Sequence, residues 1–183
     1  MELLTGVKRK ETLEISQLLQ TEYEGKNVTV NGAIHTIRDM GTVAFVDLRK
    51  REGLLQCVYV EGIAAFDIDD LMEASNVEVK GTLSKNDKAP NGIEIMMESI
   101  RILSKPVEAL PIPISKWKMN ASLETRLNLR AISMRNLQER AKFKIQEGIV
   151  RAFRDFLHEE GFTEIRTPKI GSKGAEGGSN IFK

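Results

Sequence analysis

Between residues 26 and 103 apolar and polar side chains alternate with a period close to two, in runs broken by Gly, Asn, Asp and Pro. Such alternation predicts strands over residues 26–38, 42–49, 54–60, 77–84 and 93–103. In the first run Val28, Val30 and Ile34 alternate with Thr29, Asn31 and His35, and Gly32 predicts a bend or bulge. In the second, Ala44, Val46 and Leu48 take one face, while Val43, Phe45, Asp47 and Arg49 take the other. Gly41 and Gly53 fall in the turns expected at 39–42 and 50–53. A period of 3.6 replaces the period of two elsewhere. It predicts helices over 12–23, 64–74 and 135–160, the last with Ile145, Ile149, Phe153, Phe156 and Leu157 on its apolar side and Gly161 at its end.

Five strands with a helix between the third and fourth follow the order of an OB-fold, a mainly β, five-stranded Greek-key barrel. The segment 85–92, KNDKAPNG, reads as the loop before the last strand. Three prolines, Pro106, Pro111 and Pro113, then mark a change of character. The organisation expected is a barrel domain over 1–104, a hinge over 105–130 and a second, incomplete α+β domain over 131–183. Residues 117–130 show no clear period. A short strand is expected at 163–166 and a mobile glycine-rich loop at 171–179. A helix, one strand and a loop cannot close a core by themselves, so the second domain reads as cut off.

Composition narrows this picture in a few places. Hydrophobic residues make up 41% and charged residues 29%, which fits a packed chain rather than a disordered one. The formal net charge is +1, so any nucleic-acid contact has to be a local patch. The single cysteine, Cys57, excludes an intrachain disulfide and shares a strand phase with Leu55 and Tyr59, which predicts core packing. No run reaches the ~18 apolar residues of a membrane span, and the first residues lack a secretory pattern, so a cytoplasmic protein is expected.

The candidate chemistry sits in residues 35–56. Phe45 lies on a strand face among charges, with His35 and Arg38 supplied by the strand before it and Gln56 by the strand after it. A ring flanked by hydrogen-bonding side chains can stack on an unpaired base and read its edge. The plain alternative is a half-buried Phe in a small barrel.

Two stretches resemble one family. IRDMGTVAFVDLRKREGLLQ is similar to the anticodon-binding OB domain of class IIb aminoacyl-tRNA synthetases, most of all their aspartyl branch. GFTEIRTPKI, residues 161–170, resembles class II motif 1, with Gly161 after the long helix and Pro168 as its fixed proline. GAEGGSNIF resembles the loop that closes over the amino acid. The resemblance implies that Phe45 stacks on the middle anticodon base, that Arg38 and Gln56 contact the anticodon beside it, and that Glu94 reads the first base. It implies that Glu176 senses the substrate's ammonium group and that motif 1, with Pro168, forms a homodimer interface. The plain alternatives are a solvated Glu94, a solvated Glu176 and an ordinary amphipathic core helix.

His35 and Pro90 match the pattern of relaxed enzymes that charge both tRNA-Asp and tRNA-Asn; strict ones tend to carry Trp and Lys there. Their plain readings are a surface strand residue and a turn residue. The activity implied is ATP- and Mg2+-dependent activation of aspartate, followed by transfer to tRNA. Motifs 2 and 3, whose arginines hold ATP, do not occur in the 183 residues. The chain alone is therefore expected to bind tRNA without catalysing either step and without holding a cofactor. Two other readings stay open: part of an asparaginyl enzyme, against which Asp39 after Arg38 speaks, and a free-standing OB module that binds RNA.

Overall fold

The computed structural model describes residues 13–167. Two compact units divide near residue 137.

The first unit is built on a closed five-stranded barrel in the order β1-β2-β3-β5-β4. The strands are β1 (Asn27–Asp39), β2 (Val43–Arg49), β3 (Leu54–Val60), β4 (Asn76–Lys85) and β5 (Ile93–Ser104). All five alternation runs thus became strands. Closure depends on β1 serving two neighbours. Its first half pairs with β4 and its second half with β2, and Ala33 pairs with both Arg49 and Asn76. Gly32 sits at that changeover. A Cβ there would lie 3.0 Å from the Leu48 Cβ, so the strand bends where a side chain has little room. The bend was expected at Gly32; the bulge falls later, between Ile34 and Thr36.

The core is the inward face of each strand. Val30, Ile34, Ala44, Val46, Leu48, Leu55, Cys57, Val77, Val79 and Ile95 are fully buried. Cys57 packs as expected, and burial pushes its thiol far up from its ordinary pKa. One end is plugged by Ile15 and Leu18 from α1 (Ile15–Leu18). That helix is held to the β2–β3 turn by Glu52, which accepts from the Ser16 backbone N–H (2.8 Å) and hydroxyl (3.0 Å). The helix expected over 12–23 is only this turn and a 3-10 turn at Thr21–Tyr23, because Gln20 between them is extended.

The helix expected at 64–74 is likewise reduced to a 3-10 turn, Ile68–Asp70. Asp67 caps it by accepting from the Asp69 N–H, and Ala74 takes a positive φ of 68°. Short acidic side chains that bond the local backbone favour turns over helix, which accounts for the loss. At the β1–β2 turn Gly41 does adopt a positive φ, 89°. The β2–β3 turn closes through Lys50 N–H to the Gly53 carbonyl (2.8 Å), with Gly53 in an ordinary φ range.

Residues 105–136 are not bare linker. Ile112, Ile114 and Met119 form a second small core, joined by Leu129 and Ile132. The aperiodic stretch contains α2 (Leu123–Asn128), capped by Ser122, and α3 (Arg130–Ser133) starts at its end. Asn136 donates to the carbonyls of Ile114 (2.9 Å) and Lys116 (2.7 Å), tying the end of this segment to its start.

The second unit is dominated by α4 (Leu137–Glu159). Gly161, φ 84°, ends it. Its N–H bonds the His158 carbonyl and the Phe162 N–H bonds that of Leu157, both at 3.0 Å, the Schellman pattern that glycine permits. The strand expected at 163–166 does not form: residues 162–167 have no regular structure and no partner strand among the described residues. Pro168 and Glu176 lie outside the described residues.

Candidate nucleic-acid interface

Strand register assembles the site. Arg38 on β1 faces Phe45 on β2, and Asp47 on β2 faces Gln56 on β3. The β3–β5 pair is parallel and sets Gln56 beside Glu94. Five residues from four strands therefore share one outer face of the barrel. Their side chains are joined by hydrogen bonds. Arg38 Nη2 donates to Gln56 Oε1 (3.1 Å) and lies 3.4 Å from Asp47 Oδ2. Gln56 Nε2 donates to Glu94 Oε2 (2.9 Å), and so does Asn86 Nδ2 (2.9 Å).

This arrangement fixes which way the Gln56 amide points. A guanidinium can only donate, so Gln56 must turn its oxygen to Arg38 and its nitrogen to Glu94. The Arg38 guanidinium carbon also lies 5.6 Å from the Phe45 ring centroid, within reach of a cation–π contact. Phe45 is half-buried with its ring on the outer face; Gln56 and Asp47 are buried. Burial pushes the Asp47 carboxyl above its usual range, while the Arg38 charge partly opposes that. The face thus offers a ring for stacking, an amide, a carboxylate and a partly exposed guanidinium in one line. That set can take one unpaired base on the ring and bond the edges of its neighbours.

His35 requires a correction. It was expected on this outer face next to Arg38, but only 2% of it is exposed. The bulge between Ile34 and Thr36 puts one extra residue in β1, so Thr36 takes the place opposite Asp47 and His35 turns inward. Its Nδ1 has no hydrogen-bond partner among the described residues, and burial, aided by the Arg49 charge, lowers its pKa. Pro90 opens the 3-10 turn Pro90–Gly92 before β5. That turn is fastened to β3, for Asn91 Nδ2 donates to the Leu54 carbonyl (2.8 Å). Neither His35 nor Pro90 is among the side chains of the hydrogen-bonded line.

Two members of the line were missed from sequence. Asp47 carried a signal, since its phase matches Phe45. Asn86 carried none beyond its place in a loop, because its contact with Glu94 depends on how that loop folds.

The family models agree with this geometry. Residues 28–103 match the OB-fold nucleic acid binding domain, and residues 122–183 match the tRNA synthetases class II (D, K and N). Over most of its length the chain thus carries class II tRNA synthetase domains of this group. Within the group, it is similar to the aspartate–tRNA(Asp/Asn) ligase of Deinococcus radiodurans, 42% identical over 98% of this chain and 39% of the relative. The ligase of that description from Sulfurisphaera tokodaii is 40% identical over 88% of this chain and 38% of its own length. The chain thus spans about two fifths of the curated relatives it matches.

Among solved structures, the asparaginyl-tRNA synthetase of Pyrococcus horikoshii, complexed with asparaginyl-adenylate, superposes with a TM-score of 0.77 at 26% identity, over 92% of this chain and 39% of that one. The aspartyl-tRNA synthetase of Entamoeba histolytica shares the fold, with a TM-score of 0.70 at 24% identity over 87% and 40% of the two chains.

Proposed function

We propose that this chain supplies the anticodon-reading part of an aspartate–tRNA ligase that charges both tRNA-Asp and tRNA-Asn. The observation that carries the reading is the line Arg38–Gln56–Glu94 beside the Phe45 ring. In it Phe45 stacks on the middle anticodon base, Arg38 and Gln56 bond that base's edge, and Glu94 accepts from the first base. A carboxylate suits guanine there, since guanine presents a ring N–H and an amino group together. The curated relatives named for both Asp and Asn support the dual specificity.

His35 acts on the third base indirectly in this reading. As a buried residue it shapes the β1 bulge instead of touching RNA, and Pro90 shapes the β4–β5 turn. Class II synthetases use ATP and Mg2+. Among the described residues no group of three or more His, Cys, Asp or Glu is placed to hold a metal ion. In this reading the barrel's share of the reaction is recognition and placement of the tRNA, which lowers the barrier by positioning. The reading further takes Glu176 for the amino-acid loop, Gly161 and Pro168 for motif 1, α4 for a homodimer contact and the cytoplasm for the location. No described helix is long and apolar enough to cross a membrane.

The test is binding of the 183-residue chain to anticodon stem-loops carrying GUC, GUU and an unrelated triplet at one fixed salt concentration. Similar affinity for GUC and GUU with rejection of the third is expected. Preference for GUC alone would refute dual specificity, and equal binding of all three would refute anticodon reading.

A further inference from the structure

Asn86 has all its polar groups engaged. Its N–H donates to the Gly92 carbonyl (3.0 Å), and its own carbonyl accepts from Ala89 (2.9 Å). Its side-chain Oδ1 accepts from the Lys88 N–H (3.0 Å), which closes a local turn. With Oδ1 occupied, the amide can point only Nδ2 at Glu94, where it donates at 2.9 Å. Gln56 Nε2 donates to the same oxygen from the other side. Glu94 Oε2 therefore holds two donors, which use its two lone pairs, and Oε1 is left without a hydrogen-bond partner among the described residues.

We propose that Asn86 is the positioning residue for first-base selection: by pinning Glu94 Oε2 together with Gln56, it aims Oε1 at the donors of a guanine. This rests on the anticodon reading above and adds to it the residue that makes Glu94 selective. Without Asn86 the carboxylate keeps one tether, from Gln56, and can rotate about its last bond. It then no longer presents one oxygen in a fixed place. Guanine, with two adjacent donors, loses most. Adenine, which offers an acceptor beside its amino group, loses little, because a fixed carboxylate opposes its ring nitrogen.

The informative variant is Asn86→Asp. It retains the oxygen that accepts from Lys88 N–H, hence the turn, but replaces the donor to Glu94 by a second negative oxygen. Binding of the 183-residue chain is measured with stem-loops GUC, AUC and GUU, with Glu94→Ala and Phe45→Ala alongside, and Asn86→Ser as a second way to remove the donor. The expected result is roughly tenfold weaker binding of GUC by Asn86→Asp, the size of a lost charge-assisted hydrogen bond, and a GUC/AUC ratio that falls toward one. The GUC/GUU ratio stays as it was. Natural discrimination in both Asn86 variants, or an equal loss on every RNA, overturns the proposal. If Glu94→Ala and Phe45→Ala bind like the natural chain, the anticodon reading itself is what fails. A thermal melt of each variant identifies one that does not fold; Asn86→Ser then decides.

Discussion

The barrel and helix α4 are both amphipathic, yet they satisfy their apolar faces differently. Every inward position of the barrel finds a partner in the same unit, so Val46, Leu55 and Ile95 are fully buried. In α4 the apolar stripe Ile145, Ile149, Phe153 and Phe156 remains 57–65% exposed, and the helix has no buried residue. Its charges are served locally instead, as in the Lys142–Glu139 (2.7 Å) and Lys144–Glu147 (2.9 Å) pairs. Periodicity states which face wants cover. Only closure of a fold states whether the cover comes from the same unit. A sheet that closes on itself is self-sufficient, whereas a single helix is not.

Substitutions that strike each region should separate them. The largest effect is expected at Gly81, where an added Cβ would sit 2.0 Å from the Met96 carbonyl oxygen, inside the β4–β5 ladder. Gly81→Ala should destabilise the barrel by at least about 3 kcal/mol and remove its cooperative melt by circular dichroism. Ile95→Ala, which empties a core position, should cost about 2–5 kcal/mol in the same measurement. Phe153→Ala, in the exposed stripe, should leave the barrel melt within about 0.5 kcal/mol. Equal losses from these two would dissolve the contrast. Phe45→Ala should weaken binding of a GUC stem-loop by about 1–3 kcal/mol while changing the melt little, since the ring stands on the outer face.

The smallest effect concerns pH. His35 is held below its ordinary pKa of 6.5, first by burial and then by the Arg49 charge. Protonation consequently favours the unfolded chain. The stability of the neutral form is fully present above about pH 6.5 and is lost as pH falls through the lowered value. The barrel's melting temperature should drop between pH 7 and 5, and drop less in His35→Gln. Parallel slopes in the two proteins would show that His35 does not titrate in the fold.

The strands and the core were legible because alternation is a local signal and the barrel obeys it. Phe45, Arg38 and Gln56 were found by strand phase and position, Glu94 only through family likeness, and register then explained why they meet. What escaped depended on two-versus-one counts and on short turns. The bulge after Ile34 moved His35 from the wet face to the interior, and nothing in the period around Gly32 announces it. The helix expected at 64–74 failed because Asp67 bonds the local backbone. Asn86 was invisible since its value lies in an amide orientation that Lys88 and Glu94 set together.

The parallel β3–β5 contact is only three residue pairs long: Gln56 with Glu94, Cys57 with Ile95, and Val58 with Met96. A slip of one residue along it would bring Ile93 or Ile95 next to Gln56 and turn Glu94 toward the core. A barrel zipped up in the wrong frame would thus lose the Gln56–Glu94 bond, and with it the proposed base-reading line, as well as being poorly packed. Three residue pairs of one short contact thus hold both the packing of the core and the alignment of the outer hydrogen-bonded line.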